Sequence, residues 1–139
     1  MKKLIVALTF MVATATTFAQ TKMYAYALEH GQWDRYKEQW DFNNYKKVDL
    51  TISIYSNSIY INDAAQTSLT VLSFDGEKND KTYGGEPYTA NAWNCSDEKN
   101  RKCMFSLVRY HTSKLNLITI RYSDYSFRYY VSSDKVDNF

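Results

Sequence analysis

Four side chains in this chain ionise or react near neutral pH: His30, His111, Cys95 and Cys103. Nucleophilic catalysis would need a Ser, Cys or Thr beside one of the histidines, with a third group orienting the base. His30 precedes Gly31 and His111 falls in a turn between two apolar segments, and the sequence around neither names a partner. The histidines also sit at no usual zinc spacing from the two cysteines. Asp75, Glu77, Asn79 and Glu86 fall at positions 1, 3, 5 and 12 of a stretch of calcium-loop length, but Asp80 occupies position 6, where the sharp turn requires Gly. Gly84-Gly85 lacks the Lys and Ser/Thr of a phosphate loop. The 15 acidic residues are spread evenly, so no two stand out as an acid and base pair. The expectation is a non-enzymatic chain with no catalytic residues, no cofactor and no metal, which acts by binding.

Charge narrows the kind of binding. Of 17 basic residues in the 139-residue chain, Lys2 and Lys3 lie in an N-terminal leader, leaving basic and acidic residues equal in number over the remainder. A nucleic-acid binder needs an excess of Lys and Arg on one face to displace counterions, so that partner class is not expected. The leader combines the basic pair, an apolar run from Leu4 to Val12, and small residues with Thr17 and Ala19 at −3 and −1 of a cut before Gln20. It reads as a signal peptide over residues 1–19. Residues 20–139 then form one domain, exported to a periplasmic or extracellular space. The apolar run spans about 14 Å as a helix against a bilayer core of roughly 30 Å, so membrane insertion of the mature chain is not expected.

The elements that would carry a binding surface follow from period-two alternation, the mark of strands with one buried face. Val48, Leu50, Ile52 and Ile54 alternate with polar residues, and after Ser56-Asn57 the pattern resumes at Ile59 and Ile61. Pairing Ile54 with Ile59 and Ile52 with Ile61 keeps both sets on one face. Ser68 to Phe74 reads as a strand, followed by a long polar segment from Asp75 to Pro87. Tyr88 to Cys95 and Cys103 to Tyr110 read as one hairpin, with Cys95 facing Cys103, Trp93 facing Phe105 and Asn91 facing Leu107. An oxidising compartment would bridge the cysteines, contributing roughly 2.5 kcal/mol by closing a short loop. Leu115 to Tyr122 and Ser126 to Ser132 pair across Asp124-Tyr125, with Tyr122 opposite Phe127, Ile120 opposite Tyr129 and Ile118 opposite Val131. Lys22 to Glu29 and Gln32 to Trp40 read as two further strands. The whole is all-β, a single domain of about eight antiparallel strands in a small barrel or sandwich with mostly hairpin connections.

Gly31-Gln32-Trp33 resembles the Gly-x-Trp signature near the N-terminus of lipocalins. The resemblance covers those three residues and implies a calycin-like up-and-down barrel carrying a small apolar ligand. A different surface follows from the pairing of the last two strands, which places Arg121 opposite Arg128 and Tyr130 opposite Thr119. Like charges so placed repel unless an anion sits between them, either a Glu or Asp of a neighbouring strand, which is the favoured source, or an external carboxylate or phosphate. Arg121, Arg128 and Tyr130 are therefore the candidate binding face, suited to a protein or acidic glycan partner. Met104, Val108, Tyr110, Leu115 and Leu117 form a second apolar face, which the segment holding Trp33 and Trp40 is expected to cover.

Overall fold

The structure, a computed structural model, describes residues 21–134. Eight strands follow one another in chain order: β1 (Thr21–Asp34), β2 (Gln39–Ile54), β3 (Ser58–Ile61), β4 (Ser68–Lys81), β5 (Pro87–Ser96), β6 (Lys102–Tyr110), β7 (Asn116–Arg121) and β8 (Tyr125–Ser132). Each pairs antiparallel with the next, and β8 returns to β1, so the sheet closes into a barrel. The choice between barrel and sandwich is thereby made. The leader, residues 1–19, lies outside the described residues.

Alternation produces a filled middle. Ile52, Ile59, Ile61, Phe105 and Ile118 are fully buried on the inner face, with Leu69, Leu107, Tyr129 and Val131 around them. At about 25 cal/mol per Å² of apolar surface removed from water, these side chains dominate the stabilising side of folding. The two hairpins with strongest patterning have the expected register. Ile54 pairs with Ile59 and Ile52 with Ile61, across a turn closed by Tyr55 N–H to Ser58 O. Trp93 pairs with Phe105 and Asn91 with Leu107.

Three expectations are corrected. Gln32 to Trp40 is no separate strand: β1 runs unbroken from Thr21 to Asp34, the chain turns at residues 35–38, and Trp33 pairs with Trp40. Asp34 makes the turn, its carboxylate accepting from the N–H groups of Tyr36 and Lys37, with Glu38 at φ 52. Second, the polar stretch after Phe74 is not a loop. β4 continues to Lys81 against β5, and the turn comes only at 82–86, where Gly85 has φ 89. This part of β4 has no neighbour on its other edge, so a polar strand fits it. Third, β7 and β8 pair two residues out of the expected register: Ile120 faces Phe127, Ile118 faces Tyr129, Arg121 faces Ser126, Thr119 faces Arg128 and Leu117 faces Tyr130. The turn is centred on Ser123-Asp124, closed by Tyr122 N–H to Tyr125 O. A slip of two leaves every side chain on its own face, so burial does not distinguish the two registers.

Gly31 lies inside β1, ten residues into the strand, rather than at its beginning. Its pairing with Phe42 on one side and Ser126 on the other leaves a notch into which the Phe42 ring settles. A Cβ at residue 31 would stand 2.5 Å from Ser126 Oγ and 2.7 Å from Phe42 Cε1. Gly31→Ala is expected to cost about 1–3 kcal/mol through this overpacking. Thermal melting should fall by roughly 5 °C or more; an unchanged melting temperature would show that Phe42 can move aside freely.

Candidate ligand cavity

The filled core stops short of one end of the barrel. That end gathers the connections after β1, β3, β5 and β7, and β3 is only four residues long. Beyond the Ile52–Ile61 pair and the bond from Asn62 N–H to Thr51 O, β2 continues toward the β1–β2 turn without a neighbour on that edge. Between this edge and the 62–67 connection lies a cavity of about 490 Å³. Leu28, Val48 and Leu50 line one wall, Ile120, Phe127 and Tyr129 the other, and Ile61 and Tyr122 also line it.

Bulges aim the rim. Register shifts in β1–β2 between Ala25 and Ala27 and between Leu28 and His30 keep Leu50, Lys46 and Asn43 on the inner row, opposite Ala25, Leu28 and His30. Asn44, at φ 57, absorbs the second irregularity, a conformation Asn tolerates. His30 and Lys46 reach the mouth, and His30 packs edge-on to Phe127 at 5.2 Å. Across the opening, Asp63 accepts from Thr67 N–H at 2.9 Å and from Thr67 Oγ1 at 2.7 Å. Burial, with Asp63 nearby, pushes the Tyr129 phenol up to about 12, so it stays a neutral hydroxyl.

Tyr122 is set by a hub on the next connection. Asp97 accepts from the Tyr122 hydroxyl at 2.9 Å, from Arg101 Nε at 2.8 Å, and from the N–H groups of Lys99 and Arg101. Arg101 lies over the Tyr122 ring, which stacks on Tyr125 at 4.6 Å. Tyr122 and Phe127 separate the main cavity from a smaller one of about 260 Å³ beside Asp97. Burial alone would raise the Asp97 carboxyl, but the Arg101 N–H, the Tyr122 hydroxyl, the Lys99 N–H and the Arg101 guanidinium together hold it down to about 2.

The residues expected to form a recognition face are placed differently. Arg128 Nη2 lies 3.1 Å from Glu29 Oε1, the Tyr130 hydroxyl donates to the same oxygen, and the Phe42 ring covers the guanidinium with its centroid 3.8 Å away. Arg128 and Tyr130 are thus bound together by a carboxylate of the neighbouring strand. Arg121 stands one diagonal step from Arg128, opposite Ser126, and lies over Trp40 at 5.5 Å. The β1–β2 hairpin therefore reaches over β7 and β8, while Met104, Val108 and Tyr110 stay half-buried.

The expected Cys95–Cys103 bridge is corrected as well. The residues face each other as read, but both are buried free thiols. Asp97 N–H to Arg101 O and His111 N–H to Pro87 O lie in the same register an even number of residues away, so Cys95–Cys103 is a hydrogen-bonded pair. Cβ atoms at such pairs stand near the wide end of the range, about 5.5 Å, whereas a disulfide needs roughly 3.5–4.5 Å. Burial, with Cys103 beside it, pushes the Cys95 thiol up to about 11.

Sequence reasoning missed Leu28, Lys46, Asp63 and Tyr122 as members of one site. The signal available was Lys46, a cation interrupting the inward row that begins with Leu50 and Val48. Among the described residues no group of three His, Cys, Asp or Glu side chains is placed to hold a metal. No protein-family model, curated protein or solved structure matches the chain.

Two outcomes check this geometry. Because the folded Asp97 value is depressed, its contribution is complete above roughly pH 4, the unfolded carboxylate value, and is lost as pH falls through about 2. Asp97→Asn should lower the melting temperature at pH 7, with the gap to wild type closing between these values; a gap independent of pH would refute the hub. Native protein at pH 8 should react sluggishly with a thiol reagent, and denatured protein should yield two thiols. No reactive thiol after denaturation without reductant would restore the bridge.

Proposed function

We propose that this chain is a binding protein without a catalytic step, which carries a small, largely apolar molecule in the open end of its barrel. The single observation behind this reading is the cavity of about 490 Å³, within the size range of small-molecule sites and walled by aliphatic and aromatic side chains. The calycin-like architecture implied by Gly31-Gln32-Trp33 agrees with the closed eight-strand meander. The resemblance ends at the position of the triplet, since Trp33 points outward and packs on Trp40. Export belongs to the same proposal, resting on the leader at residues 1–19. No nucleic-acid partner is proposed, given the balanced charge.

A second reading keeps a protein or acidic-glycan partner on the outer face. It is favoured by Arg121, which is exposed and makes no ion pair among the described residues, beside Trp40. Arg128 and Tyr130 weigh against it as a three-residue site, since Glu29 already engages both.

A neutral apolar fluorophore such as N-phenylnaphthylamine tests the cavity. Its emission should rise on adding native protein. Val48→Trp, which fills the mouth from the half-buried inner row, should abolish the rise while the chain still melts cooperatively. Equal enhancement by both proteins would place the probe elsewhere and end the cavity reading.

A further inference from the structure

The inner face of the β1–β2 hairpin changes character along its length. From the middle of the barrel outward, β1 presents Ala25, Leu28, His30 and Gln32, and β2 presents Leu50, Val48, Lys46 and Asn43. An apolar stretch thus gives way to one basic layer, in which Lys46 and His30 are near neighbours across the ladder, and then to the amides of Asn43 and Gln32, with Asp41 opposite Gln32 toward the hairpin tip. Such a gradient matches a molecule with an apolar body and a single charged end lying along the hairpin axis.

The charges at the mouth decide the sign of that end. Lys46 is exposed and makes no ion pair among the described residues. Asp63, the one carboxylate lining the same cavity, has both oxygens engaged by its own connection: Oδ1 accepts from Thr67 N–H and Oδ2 from Thr67 Oγ1. An incoming cation would have to share those oxygens, whereas an incoming anion meets an ammonium with its donors free. Its second neighbour, the His30 imidazole, can donate from a ring N–H in either tautomer.

We propose that the ligand is an anionic amphiphile of the carboxylate class, its apolar chain against Val48, Leu50 and Phe127 and its head group on Lys46 Nζ with His30 beside it. This rests on the cavity reading and adds the chemistry of the head. Charge-assisted hydrogen bonds are the stronger class, and a site at the rim leaves the head partly hydrated, which sets the scale of the expected preference at about tenfold.

The test compares dodecanoate, dodecanol and dodecylammonium, each below its micelle-forming concentration, by calorimetric titration of the full chain at neutral pH. Dodecanoate should bind about ten times more tightly than dodecanol, and dodecylammonium least. Lys46→Gln, on the exposed edge of β2, should melt as wild type does and lose the preference for dodecanoate over dodecanol. Equal binding of acid and alcohol by wild type overturns the proposal, as does a preference that survives Lys46→Gln. Tighter binding of the amine would give the selection to Asp63 and overturn it too. If the neutral fluorophore enters the cavity but dodecanoate does not bind, the head-group proposal fails and the cavity reading stands. If neither enters, both fall.

Discussion

Ring closure on one side of the molecule runs through the four residues Ser58–Ile61. Ile59 and Ile61 are fully buried, and their ladders join Ile54 and Ile52 on β2 to Leu69 on β4. Without β3, β2 and β4 would each present an open edge along their whole length, and an open edge is a template for aggregation. Because β3 is so short, it closes the middle of the barrel and nothing beyond it. The unpaired parts of β2 and β4 carry Lys46, Lys47 and Asp49 in one case and Asp75, Glu77, Lys78 and Asp80 in the other, charges that discourage pairing with another chain. Core, edges and cavity therefore follow from one strand length.

The same constraint explains the outer face. The long β1–β2 hairpin, unsupported by β3 above Thr51, packs instead across its other neighbour, β8. Gly31 leaves the notch, Phe42 fills it, and Glu29 joins Arg128 to Tyr130. Ser126 Oγ and Arg128 Nε are buried beneath this layer without a hydrogen-bond partner among the described residues. Tyr45 and Tyr26 extend the layer by ring contacts with Tyr130. The arginine repulsion inferred from sequence dissolves in two ways: the register separates Arg121 from Arg128, and a neighbouring carboxylate neutralises the latter.

Local pairing was legible wherever a turn and an apolar row agreed. Ser56-Asn57 between two Ile rows fixed β2–β3, and setting Cys95 opposite Cys103 fixed β5–β6, bringing Trp93 opposite Phe105. Face patterning is blind to a slip of two residues, and that placed Arg121 wrongly relative to Arg128 and Tyr130. Opposition was legible at the cysteines; the hydrogen-bonding parity of the pair, which bears on whether a bridge fits, was not. The polar half of β4 was hidden because a strand exposed at its edge loses the alternation that marks a buried one. The cavity was hidden for a different reason. Its walls come from strands distant in sequence, and an empty volume is a property of how far side chains reach rather than of their order.

Seven of the eight ladders in the ring join consecutive strands, and one, β1 to β8, joins the two ends of the described chain. The Glu29–Arg128 contact on that seam spans 99 residues. Loop-closure entropy makes the hairpins cheap to form and the seam expensive, so the seam carries the largest ordering cost of the eight ladders. Leu28 and His30 stand on one side of the seam and Phe127 and Tyr129 on the other, all four lining the cavity. The pocket is therefore complete only when the seam is closed, and an occupant touching those four side chains would act as a clasp on the contact that costs most chain entropy to order, holding the barrel shut from inside.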